Sequence, residues 1–244
     1  MQLSAKFLSC LNISGADFIC AKKLFIVSIL SEWSYLKRFS SLLKIWVSAI
    51  FKSAFNDLHA GIGAEIIVKS LTREEVYRQC IPIIIGDRAA LEDALDFCNL
   101  NLEINEITEP KEAKGLLGTI DVIHLGILEP HGWEYKKNSA LCGDASFQYI
   151  IKGIELAKAK QVDAVATAPI NKESLHMGGH KYSGHTEIFA EYTNTHKYAM
   201  LLASGIRSDR KLCVIHVSTH VSLKEACERV KKDRVVEVIK LADK

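Results

Sequence analysis

Two strand-end motifs hold the residue types best suited to chemistry in this chain. The apolar run Val162–Thr167 leads into Thr-Ala-Pro-Ile-Asn-Lys (Thr167–Lys172), and after a loop the chain reads Gly184-His185-Thr186-Glu187. A second apolar run, Leu212–Val217, ends in Ser218-Thr219-His220. Polar and basic groups just beyond strand ends are where open α/β sheets place their ligands. The imidazole of His185 and the hydroxyl of Thr186 can both hydrogen-bond phosphate or carboxylate oxygens. Gly184 lets a ligand approach the backbone closely. Lys172 could pair with an anion, or assist proton transfer from a hydroxyl if desolvation lowered its pKa. The alternative is that Pro169 and Asn171 shape a helix start while Lys172 points to solvent. His220, at a strand tip, is a better metal ligand than His216 inside the strand. A single histidine is not a metal site, because a divalent ion normally takes three or more protein ligands. His176 and His180 read as loop-surface residues. Gly61 and Gly63, at a turn opening a helix, could offer backbone N–H groups to an anion, but no GxGxxG pattern accompanies them.

The bulk properties narrow the function classes. At 244 residues the chain is long enough to bury a substantial core. A net charge of +2, with no basic tract interleaved with aromatics, does not point to nucleic acid. Seven scattered cysteines without a CxxC pair fit a reduced, cytoplasmic setting better than a disulfide framework. Residues 1–55 differ from the rest: one glycine, no proline, and seven Lys/Arg against two Asp/Glu. They read as a basic, atypical extension, partly helical over Trp33–Phe55. The apolar run Leu24–Leu30 is far too short to span a membrane.

From residue 56 the pattern becomes regular. Helices are expected over Ala64–Leu71, Arg88–Cys98, Phe147–Lys160 and Ile188–Ser204, with a charged amphipathic helix from Leu223 to the end. Strands are expected over Ile81–Ile85, Leu102–Ile107, Ile120–Leu125, Val162–Thr167 and Leu212–Val217. Short, continuously apolar strands between helices indicate an α/β fold, with a largely parallel sheet covered by helices on both faces. The last helix carries an apolar stripe, Val235, Val238, Ile239 and Leu241, that needs a partner.

In combination, TAPINK, GHTE and STHVSL, supported by IDVIHLG, GDASFQYI and YAMLLAS, resemble the 4-hydroxythreonine-4-phosphate dehydrogenase family. The likeness leans to its 4-phospho-threonate and 4-phospho-erythronate branch and begins near Asp57. It implies the two-domain isocitrate/isopropylmalate-dehydrogenase-like fold, here an incomplete version over residues 56–244. It also implies NAD as oxidant, a divalent metal (zinc, magnesium, manganese or cobalt), and a homodimer. The implied reaction is oxidation, with decarboxylation, of a small 4-phosphorylated 3-hydroxy acid. By resemblance His185 and Thr186 bind substrate and His220 is one metal ligand, while Lys172 remains a catalytic candidate. The family's Asn-Pro-His-Ala-Gly-Glu and Tyr-His-Asp-Gln motifs do not occur in these 244 residues. The expectation is therefore little or no dehydrogenase activity from this truncated chain alone. The alternative is a non-catalytic phosphate-ligand-binding or partner-binding remnant. The family's opening strand has no recognisable copy, which leaves a central slot in the sheet to be filled by another segment.

Overall fold

The continuously apolar Ile81–Gly86 (β3) sets the architecture. In it Ile83, Ile84 and Ile85 are all essentially buried although neighbours point to opposite faces, so both faces of the sheet are covered. The computed structural model describes residues 27–28, 45–49, 62–78, 80–130, 132–134, 137–204, 212–219 and 221–243. These fall into two compact units, one spanning Phe25–Ile188 and the other including everything described from Phe189 onward.

The first unit contains a six-stranded parallel sheet of β1 (Val27–Ser28), β2 (Ile45–Ala49), β3, β4 (Glu103–Ile107), β5 (Thr119–His124) and β6 (Ala164–Thr167). Their spatial order is β1-β6-β2-β3-β5-β4. β2 fills the central slot, with Val47 opposite Ile83 on one side and Val165 on the other. The helical expectation across Trp33–Phe55 is thus corrected for Ile45–Ala49. The segment IWVSA is short, apolar and partly β-branched, and a slot with hydrogen-bonding neighbours on both sides selects an extended conformation.

Around the sheet lie α1 (Ile62–Ser70), α2 (Glu74–Tyr77), α3 (Arg88–Cys98) and α4 (Ala140–Lys158). Asn99, in the left-handed region at φ 51°, ends α3. Ser139 caps α4 by accepting from the Cys142 N–H. α4 lies across the sheet, where Gly153 brings its backbone down on Val165 and Ile85. α4 begins seven residues before the periodic stretch at Phe147, because its first two turns, ALCGDAS, are rich in small residues and carry no apolar stripe.

The short α5 (Lys172–Met177) and then α6 (His185–Tyr192) follow β6. The expected helix Ile188–Ser204 is corrected. Thr193 turns its hydroxyl back onto the Phe189 carbonyl, and Asn194 adopts φ 52°. The Thr195 N–H then closes on the Ala190 carbonyl, ending the helix. Leu201–Ser204 becomes β7, antiparallel to β8 (Leu212–Ile215). This pair is the exception to the parallel pattern. The final helical stretch is likewise two helices, α7 (Leu223–Arg229) and α8 (Lys232–Ala242), broken at Val230, which leaves the helical region at ψ 76°, and at Lys231, whose backbone is extended. Arg234 on α8 donates to the carbonyls of Val217 and Tyr198, fastening that helix to the strand ends of the second unit. Of the stripe foreseen on the last helix, Val238 is buried while Ile239 is exposed. No helix among the described residues is long and apolar enough to cross a membrane.

Candidate functional site

The sheet's carboxyl edge brings together Thr167 from β6, Gly86-Asp87 from β3 and His124 from β5. The chain moves from β2 outward through β3 to β4 and β5. It then crosses by α4 to β6 on the other side of β2. Such a reversal opens a crevice beyond the strand ends, here beside Thr167 and its neighbour Ala49. The Thr167 hydroxyl is buried there without a hydrogen-bond partner among the described residues.

Asn171, four residues further on, caps α5 by accepting from the Ser174 N–H at 2.8 Å. Its amide donates to Asn138 at 3.2 Å, and Asn138 in turn donates to Glu173 at 2.6 Å. Asn171 therefore ties the β5–α4 loop to the start of α5. Lys172, the first residue of α5, is exposed and makes no ion pair or hydrogen bond with a described residue. It is a cation available to an anionic ligand, as the sequence allowed.

His185 and Thr186 open α6 in the same unit. Burial pushes the His185 imidazole down to about 4. At neutral pH the ring is uncharged, with one N–H donor and one acceptor nitrogen. This depression has a stability consequence with a definite sign. Between about 4 and the ordinary 6.5 of the unfolded chain, the unfolded state binds the proton that the folded state refuses. Stability is then greatest above 6.5 and falls as the pH drops to about 4, by roughly 3 kcal/mol in all. Urea midpoints of the parent and of His185→Gln across this range should differ in slope, with the variant markedly flatter. Parallel curves would refute the assignment.

The acid that organises this edge was not singled out by spacing. Asp87 is completely buried, and its carboxylate accepts four consecutive backbone N–H groups, those of Leu125, Gly126, Ile127 and Leu128. It also accepts the Tyr149 hydroxyl at 2.6 Å. Burial and the adjacent carboxylate push the Tyr149 phenol far above its usual range, which keeps it a donor. His124 Nδ1 lies 3.2 Å from the same carboxylate, but it accepts the Arg88 N–H and so cannot be donating to Asp87. The one hint in the sequence was Gly-Asp directly after an apolar strand.

His180 is also more than a loop-surface residue. Its ring stacks on Phe147 at 3.7 Å between centroids, and its Nε2 lies 2.7 Å from Asp144. His176 is exposed, with Nε2 3.0 Å from the Tyr182 carbonyl. His220, the sequence-derived metal ligand, and Gly61 lie outside the described residues. Gly63 sits within the first turn of α1. Among the described residues no three His, Cys, Asp or Glu side chains are gathered to hold a metal ion. They do not by themselves fit the metal that the resemblance implies, and no chemical step is routed through one.

Comparison with known proteins agrees with this architecture. The fold is that of a dehydrogenase-like α/β protein, similar at TM-score 0.71 and 38% identity to the crystal structure of a 4-hydroxythreonine-4-phosphate dehydrogenase from Burkholderia phymatum. That match covers 82% of this chain and 57% of the other. A 4-hydroxythreonine-4-phosphate dehydrogenase from Klebsiella pneumoniae gives TM-score 0.72 at 35% identity, covering 83% of this chain and 58% of the other. The chain belongs to the PdxA family, described as pyridoxal phosphate biosynthetic protein PdxA, whose model matches residues 78–244. A relative from Cupriavidus necator, named D-threonate 4-phosphate dehydrogenase, is 44% identical over 179 residues, which is 73% of this chain. The chain spans about half the length of the curated relatives it matches, 52% in that case.

Proposed function

We propose that this chain binds the substrate of an NAD- and divalent-metal-dependent oxidation, with decarboxylation, of a 4-phosphorylated 3-hydroxy acid such as 4-phospho-D-threonate, with little or no turnover by these 244 residues alone, and that it assembles as a homodimer. The observation that carries the reading is the His185-Thr186 pair at the start of α6, with a desolvated, uncharged imidazole, in a chain whose named relatives include a D-threonate 4-phosphate dehydrogenase. A neutral imidazole N–H and a hydroxyl can grip an anionic oxygen without the water shell a charged ring would keep. The Thr186 hydroxyl makes no hydrogen bond with a described residue and is open to such a ligand. Lys172 adds an exposed positive charge in the same unit, suited to a phosphate or carboxylate. In this reading bound NAD would supply the hydride acceptor, and His220, outside the described residues, would be one ligand of the metal.

Calorimetric titration of the full chain with 4-phospho-D-threonate, with and without Mn²⁺, tests binding; NADH formation tests turnover. Binding that weakens about tenfold or more in both His185→Gln and Thr186→Val is expected, since each removes a donor to a charged oxygen. Metal-independent binding without NADH formation would favour a phosphate-ligand-binding domain over an enzyme. Absence of binding in the parent chain would sink the proposal.

A further inference from the structure

We propose that His180 and Asp144 are positioning residues: together they hold the connection Gly178–Gly184 against α4 and so set the place of the His185-Thr186 pair. The consequence for substrate rests on the role proposed above for that pair; the consequence for geometry does not.

Contacts of different kinds converge on this segment. Backbone meets backbone first. A Cβ added to Gly178 would lie 2.7 Å from the Asp144 nitrogen and 2.9 Å from the Ala140 carbonyl oxygen. The end of α5 is therefore pressed directly onto the first turns of α4. The His180 ring then lies flat on Phe147, which is itself buried, with centroids 3.7 Å apart and planes within 12°. Tyr182 stacks near the same ring at 5.9 Å. His180 Nε2 reaches Asp144 Oδ1 at 2.7 Å, a contact whose histidine side chain is only 19% exposed. The Asp144 side chain is 42% exposed, so the bond orients the ring more than it adds stability.

The chain leaves this anchorage quickly. Between Tyr182 and His185 stand only Ser183 and Gly184. Three Cα–Cα steps reach at most about 11 Å. Ser183 and Gly184 are small and contribute little stiffness of their own, so the fixed point behind them decides how closely His185 is confined. Stacking alone leaves a ring free to slide or rotate in its plane. The bond to Asp144 removes that freedom by tying one ring nitrogen to α4. Asp144 belongs to the same helix whose Ser139 and neighbouring Asn138 engage Ser174 and Asn171 at the other end of α5. One helix thus registers both the segment that offers Lys172 and the segment that offers His185.

The test follows the His185 imidazole resonances by NMR across pH in the full 244-residue chain, beside calorimetry with 4-phospho-D-threonate. Asp144→Ala removes the acceptor. His180→Phe keeps a stacked ring but drops the bond. Asp144→Asn retains an acceptor and serves as the conservative rescue. In the first two variants the His185 titration should move up by about one pH unit or more as water reaches the ring. Substrate binding should weaken about tenfold or more, as expected when a binding group is displaced by part of an ångström. Asp144→Asn should stay near the parent in both readouts. A His185 titration unchanged in both Asp144→Ala and His180→Phe would overturn the proposal. Should Asp144→Ala fail to fold, His180→Phe decides. If the parent chain binds no 4-phospho-D-threonate, the functional reading falls, and the positioning role is still judged by the His185 titration.

Discussion

Asp87→Ala is expected to destabilise the Phe25–Ile188 unit more than any other single truncation at the carboxyl edge of its sheet. The carboxylate is fully buried and is the acceptor for four successive backbone N–H groups and one phenol. Removing it strands the buried Leu128 N–H and the buried Tyr149 hydroxyl, whereas the Leu125 N–H keeps the Gly86 carbonyl at 3.2 Å and the exposed Gly126 can turn to water. Each buried donor without a partner costs about 1–3 kcal/mol, and bonds to a charged acceptor lie at the upper end. Two fully stranded donors at that cost give a loss of about 4 kcal/mol. Asp87→Asn should fall between. It keeps the shape but turns an NH₂ group toward donors, so roughly half the loss is expected. Urea denaturation measures both, and hydrogen exchange at Leu125–Leu128 should accelerate in step. A loss under about 1 kcal/mol for Asp87→Ala would show that the loop finds other acceptors. The functional consequence is indirect: the loop that Asp87 gathers runs on to Asn138, the partner of Asn171 beside Lys172.

Gly143→Ala should be nearly as damaging, for a different reason. A Cβ at this position would lie 1.8 Å from the Ser174 carbonyl oxygen and 2.3 Å from its carbon. Neither atom is the mobile end of a side chain, so α4 and α5 must part. Overpacking of this kind costs about 1–3 kcal/mol, and here the upper value applies because backbone meets backbone. Separation also pulls at the Asn171 cap and at the Ser139–Ser174 contact. Gly153→Ala on the same helix is the control. Its Cβ would first meet Val165 Cγ1 at 3.4 Å, an ordinary contact, and the helix gains about 1 kcal/mol in propensity. The two variants, compared by urea denaturation, should differ in sign or by at least about 2 kcal/mol. Equal effects would mean that α5 yields freely.

How much of this was legible in the sequence depended on the range of the interaction. IPIII followed by Gly-Asp announced a buried strand, and Arg88–Cys98 was delimited by its own periodicity. The GHTE motif falls just before the helix expected from Ile188, and His185 and Thr186 prove to be that helix's first residues. The run before Ser204 looked helical, because its apolar residues satisfy both periods. Pairing of Leu201 with Ile215 and of Leu202 with Val214 decided for a strand. The first turns of α4 looked like loop because their residues are small. That smallness is itself the trace of the α4–α5 approach, visible only once Ser174 is seen against Gly143.

Sequence by itself determined the α/β period, the strand-end motifs and the family, because backbone dihedrals and side-chain alternation are local properties that each segment carries with it. Tertiary structure alone decided that IWVSA fills the central slot, that Asp87 gathers a loop 38 to 41 residues away, and that His180 is pinned to Asp144 rather than free at the surface. In each case the deciding partner lies far along the chain. A buried polar group or an open strand edge takes whichever distant group the packing brings within reach.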